Sequence, residues 1–266
     1  ASHFIEHMLF KGTQKRPTSR DIAVAIEGIG GIFNAGTGHE STTYWAKVAR
    51  DHLPTALEVL GDMLLHSAFA PQDIERERGV ILEEINMSLD IPQSRVQLLA
   101  RQLLWPGHPL GRDIAGFKES IVSLSREELL SYMQTYYSPR NAVVSAAGNV
   151  EEGQVLDWVG QEMGLWRGER TKPFGPAPEG EATHRLQVES ARTEQTHLCL
   201  SLRGLPRRHE HHYTLNVLNV ILGQGMGSRL FLEVRERRGL AYQVDSHITF
   251  FADAGELSIY AGVDNR

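Results

Sequence analysis

Apolar positions along the chain recur mainly with the period of an amphipathic helix, broken by two stretches where β-branched and aromatic residues gather. Phe4, Ile5, Met8 and Leu9 fall on one stripe of a helix spanning Ser2 to Phe10, with no breaker before Gly12. A second helix follows Pro17 and Thr18, where Asp21 is placed to reciprocate the Thr18 cap, and Gly28, Gly30 and Gly31 stop it after about Glu27. Residues 32–48, with Phe33, Thr42, Thr43, Tyr44 and Trp45, read as strands around a glycine-containing turn. Helical periodicity returns at Pro54 to His66, from Gln72 to about Asp90, from Val96 to Leu104 beyond the breaker Pro92, and from Ser125 to Tyr137 behind a Ser125/Glu128 capping box. Residues 141–147 read as a buried strand, and a further helix runs from about Gln154 to Leu165.

Residues 167–182 carry Pro, Gly and charge with no apolar period, the pattern of a linker. Beyond it come strands at Leu186 to Glu189 and His197 to Leu202, helices at about Tyr213 to Leu222 and Arg229 to Arg237, and strands to the end. Strands interleaved with paired helices on both sides of the linker predict an α+β fold, helices packed on largely antiparallel or mixed sheets. A length of 266 residues fits two such units. The expected division is 1–166, a linker at 167–182, and 183–266.

Composition narrows the function classes. Hydrophobic residues at 41% and charged residues at 23% are those of an ordinary globular chain. A net charge of -6 provides no basic field for nucleic acid, and no apolar run approaches the roughly 20 residues of a membrane span. Cys199 is the single cysteine, which excludes an internal disulfide and a CxxC metal site. The first residue is Ala and the first motif starts at His3, so leading strands of the first domain and the end of the second are expected to lie outside this chain.

The chemistry concentrates in His3-Phe4-Ile5-Glu6-His7. Histidines four apart on a helix project from one face and can share one ion, with Glu6 on the same turn placed as a general base. The order HxxEH is the inverse of the HExxH zincin pattern. A catalytic zinc takes three protein ligands, so a third must come from elsewhere. The helix from Gln72 to about Asp90 offers Glu75, Glu77, Glu83 and Glu84. Glu77 and Glu84, two turns apart on one face, can divide the roles of ligand and of partner to a ligand histidine, without the spacing deciding which is which. Glu75 and Glu83 read as a solvated acidic face. Two other runs are decoys: His209-Glu210-His211-His212 reads as exposed polar sequence before a helix, and Gly223, Gly225 and Gly227 as a turn rather than a phosphate loop.

SHFIEHMLFKGT at residues 2–13 and ERERGVILEEI at 75–85 resemble the zinc helix and third-ligand helix of the pitrilysin-type inverzincin metallopeptidases, the processing-peptidase-like family. The resemblance extends over nearly the whole chain. It implies Glu84, 77 positions after His7, as the ligand and Glu77 as the carboxylate behind a ligand histidine, with Glu83 the alternative in members one residue shorter. GGIFNAGTGHESTTYW at 30–45 resembles the family's cleft-lining edge strand, which points to Phe33, Asn34 and Ala35 as substrate-binding residues that pair with an extended peptide. SRLFLEVRERRGLAYQV at 228–244 resembles the signature of the second domain, which implies Arg235 and Tyr242 as donors to a peptide carbonyl or developing oxyanion. The family reading is thus a zinc metalloendopeptidase in a bacterial cytoplasm or organelle matrix, one half of a homodimer or of a subunit pair that encloses its peptide. A non-catalytic partner subunit and a small-molecule metallohydrolase are the rival readings.

Overall fold

The computed structural model describes residues 1–169, 171, 174–178 and 185–265. Contacts divide them into two compact units, the described residues of Ala1–Ile85 with Ile114–Pro173, and of Asn86–Asp113 with Phe174–Arg266. Residues 170, 172, 173 and 179–182 of the expected linker lie outside the described residues.

The first unit is built on helix α1 (Ser2–Leu9). Phe4, Ile5, Met8 and Leu9 are completely buried, which leaves His3, Glu6 and His7 half-buried on the opposite stripe. Each buried side chain contributes about 1.5–3 kcal/mol, so α1 is fixed by its apolar stripe and its chemistry faces outward as a consequence. The buried core of this unit also includes Ile22 and Ile26 of α2 (Ser19–Glu27), Val59 and Met63 of α3 (Leu53–His66), Ile81 and Ile85 of α4 (Pro71–Asp90), and Leu129 of α7 (Arg126–Tyr136), a helix that contacts α1. Both expected capping boxes form: Thr18 with Asp21 at 3.0 and 3.2 Å, and Ser125 with Glu128 at 2.8 and 3.1 Å. Gly30, at φ 76°, supplies the left-handed turn after α2. Strands β1 (Ile32–Thr37) and β2 (Thr42–Lys47) form an antiparallel hairpin in register from Ile32↔Lys47 to Thr37↔Thr42, and its inner face packs on α1.

The second unit carries α5 (Pro92–Leu104) and a three-stranded antiparallel sheet ordered β3 (Gln195–Gly204), β5 (Gly255–Asp264), β4 (Ala241–Phe250). Helix α5 lies against β3, and Trp105 meets Phe251 edge-on at 5.5 Å in the small core with Leu110. The α+β architecture follows the sequence pattern, and both sheets are antiparallel.

Several local expectations differ. Pro92 does not delay the helix to Val96 but opens it, because a proline at the first helical turn lacks only an N–H that would be unpaired anyway. Residues 141–147 and 186–189 form no ladder among the described residues, and Val143, Leu186 and Val188 are exposed. An apolar run marks a strand only where a partner edge meets it. Arg229 to Arg237, expected as an α-helix, contains a π-helical segment at Phe231–Arg237. Helix α6 (Lys118–Ser123) is not anticipated from the pattern, whereas α8 (Glu152–Met163) and α9 (His212–Leu222) lie close to their expected spans.

Candidate metal centre

Helical spacing places the His3 and His7 rings 4.7 Å apart, centre to centre, in an edge-to-face arrangement, with their Nε2 atoms 3.3 Å from each other. Helix α4 brings Glu84 to the same point, its Oε2 3.6 Å from both Nε2 atoms. Among the described residues, these three are the group of potential ligands whose ligand atoms gather within 4.8 Å. The edges of that triangle decide whether a cation fits. Tetrahedral coordination at zinc–ligand distances of about 2.0–2.2 Å puts neighbouring ligand atoms roughly 3.3–3.6 Å apart. The observed 3.3, 3.6 and 3.6 Å match.

Proton placement supports the same fit. Glu77, 3% exposed, accepts from the Nδ1–H of His7 at 3.0 Å, which leaves the His7 Nε2 lone pair turned toward Glu84. The other Glu77 oxygen pairs with Lys11 Nζ at 2.6 Å, so this buried carboxylate has a cation on one side and an imidazole on the other. His3 Nδ1 is buried without a partner among the described residues. Burial, and then the neighbouring His7, lower the His3 pKa, which favours the neutral imidazole that a metal requires. Glu83 is exposed and stands outside the group.

Glu6 lies one residue before His7 on the same stripe of α1, and one of its oxygens, Oε2, accepts from the Thr37 hydroxyl. That contact was not legible in the sequence. It depends on the hairpin register that turns Thr37 toward α1. Along β1, Phe33 packs on Phe10 with ring centres 5.4 Å apart, Asn34 is exposed, and its side-chain oxygen accepts from the Ala35 N–H at 2.8 Å. Among the described residues β1 pairs only with β2, so its other edge carries no ladder.

In the second unit the Arg235 guanidinium lies 5.2 Å from the centre of the Tyr242 ring and 4.9 Å from that of Phe231. Two backbone irregularities bracket the pair: Arg235 sits in the π-helical segment, and the β4–β5 register slips between Ala241 and Gln243, at Tyr242. A bulge re-aims a side chain, and Tyr242 is 74% exposed. Both line an open cleft of about 460 Å³ with Glu194, Leu240 and Asp264. Among the described residues the run at 209–212 gathers no ligand triangle. His209 caps the His211 N–H at 3.1 Å, and His212 stacks on Phe250 at 4.0 Å.

A family model described as "Insulinase (Peptidase family M16)" matches residues 1–117, and one described as "Peptidase M16 inactive domain" matches residues 123–266. An uncharacterized zinc protease of Streptomyces coelicolor is 40% identical over 98% of this chain and 58% of its own length. The uncharacterized zinc protease YmxG of Bacillus subtilis is 41% identical over 98% of this chain and 63% of its own. The chain thus spans about 60% of the length of these curated relatives. A crystal structure of a protease from Helicobacter pylori superposes with a TM-score of 0.92 at 22% identity, over 99% of this chain and 64% of that one. Pitrilysin superposes at 0.71 with 20% identity, over 99% of this chain and 29% of that one. At such identities the two structures establish the fold alone.

Proposed function

The chain belongs to the M16, pitrilysin-type peptidase family, and from that premise we propose that it is the catalytic portion of a zinc metalloendopeptidase that cuts extended peptides. The observation that carries the proposal is the convergence of His3 Nε2, His7 Nε2 and Glu84 Oε2 at 3.3–3.6 Å beside Glu6. His3, His7 and Glu84 hold the metal, and Glu77 fixes the His7 tautomer. A zinc ion bound there supplies a Lewis acid that brings the pKa of a water toward about 7. Glu6 takes the proton of the attacking water on its carboxylate and returns it to the departing amine. Arg235 and Tyr242 offer a guanidinium and a phenol as donors to a peptide carbonyl, and the open edge of β1 at Phe33, Asn34 and Ala35 receives the peptide backbone. The Asn34 amide already covers the Ala35 N–H, so a peptide that pairs at that position displaces it.

The domains are read along the chain as 1–166 and 183–266, joined by 167–182, the first carrying the zinc ligands, while by contacts Asn86–Asp113 groups with the second unit. All five of His3, Glu6, His7, Glu77 and Glu84 fall within the 1–117 match. The whole enzyme is read as a homodimer or a subunit pair. No helix among the described residues is long and apolar enough to cross a membrane.

The second reading, a non-catalytic partner subunit, is favoured by the inactive-domain match over 123–266. Glu6→Gln in the full-length protein separates the two. The metallopeptidase reading expects zinc content unchanged and turnover of an unstructured peptide reduced by about a hundredfold or more. Normal turnover in the variant, or none in the wild type with zinc bound, would contradict it.

A further inference from the structure

Strand alternation sets Thr37 and Thr42 on the same half-buried face of the β1–β2 hairpin as Tyr44, and they form the last pair of its ladder. Their hydroxyls are 3.3 Å apart. On the same side of the hairpin the Tyr44 and Tyr137 phenols meet at 3.1 Å. The Thr37 hydroxyl donates to Glu6 Oε2. A hydroxyl has one proton and an ionised carboxylate has none, so Thr37 gives its proton to Glu6 and its oxygen is left to accept. The Thr42 hydroxyl, 3.3 Å away, is then placed to donate to the Thr37 oxygen, which gives the order Thr42 to Thr37 to Glu6. Donors in such a chain polarise one another toward the charged end. Burial raises the pKa of the Tyr44 and Tyr137 phenols and keeps that neighbouring pair protonated.

We propose that Thr37 is a positioning residue for Glu6: backed by Thr42, it holds Oε2 in place and leaves Oε1 as the oxygen that exchanges the proton with water. The proposal rests on the metallopeptidase reading and assigns the hairpin a second task beside receiving the peptide edge. It explains why a hydroxyl, rather than another apolar residue, occupies a half-buried position facing the zinc helix.

The experiment compares Thr37→Val and Thr37→Ser in the zinc-loaded full-length protein, each alone and in the Glu6→Gln background, reading kcat, KM, zinc content and melting temperature. Misplacing the reacting groups is worth up to about a hundredfold. Thr37→Val is therefore expected to lower kcat by about ten- to a hundredfold, with KM, zinc content and melting temperature near wild type. Thr37→Ser restores most of kcat, and Thr37→Val adds nothing once Glu6 is Gln. Wild-type kcat in Thr37→Val beside an inactive Glu6→Gln overturns this proposal and spares the reading beneath it. Loss in Thr37→Val that Ser does not restore, or that persists in full in the Glu6→Gln background, also overturns it. An active Glu6→Gln enzyme sinks both.

Discussion

Two runs of the chain are dense in His and Glu, residues 3–7 and 209–212, and the structure treats them differently. His3 and His7 are spaced by one helical turn, on a helix whose opposite stripe is completely buried, and a carboxylate 77 positions away reaches both rings. His209, His211 and His212 are nearly contiguous at the start of α9 (His212–Leu222), so they project in different directions: one caps a backbone N–H and another stacks on Phe250. The difference teaches that ligand-type residues become a site through spacing plus a rigid, distant partner. Local abundance is not enough.

The largest test of that contrast removes the distant partner. Glu84→Ala should weaken zinc binding by more than about a hundredfold, beyond what outer partners of a ligand are worth, and abolish turnover. Competition with a chelating dye measures it, and wild-type affinity would shift the third ligand elsewhere. Glu77→Gln keeps the shape but withdraws the charge behind His7, and should cost about ten- to a hundredfold in zinc affinity. The fold should hold, since Lys11 loses only one partner at the edge of the core. At the small end, replacing His209, His211 and His212 together by Ala should leave zinc stoichiometry at one per chain. A fall in stoichiometry would erase the contrast between the two runs.

The chemistry of the first run was legible because helix periodicity and ligand spacing are local. His3, Glu6 and His7 could be placed on one stripe of α1 without knowing anything of the fold. Glu84 and Glu77 needed more, since four carboxylates on α4 compete and the spacing alone leaves the ligand open; family resemblance pointed to one, and the structure brings that one to the histidines. Thr37 was invisible for a different reason. Its contact with Glu6 is set by hairpin register, and a shift of one residue would turn the hydroxyl to the other face. The irregular backbone at Arg235 and Tyr242 was equally hidden, because a π-helical turn and a bulge leave no mark in an apolar pattern. At fold level the α+β class and both capping boxes were readable. The strands expected at 141–147 and 186–189 failed because pairing depends on a distant edge, which composition does not supply.

The most direct measurement is anomalous diffraction at the zinc edge from crystals of the full-length protein. The account predicts one strong peak about 2.0–2.2 Å from His3 Nε2, His7 Nε2 and Glu84 Oε2. A peak held by other residues, or a well-ordered Glu84 turned away from the metal, would contradict it.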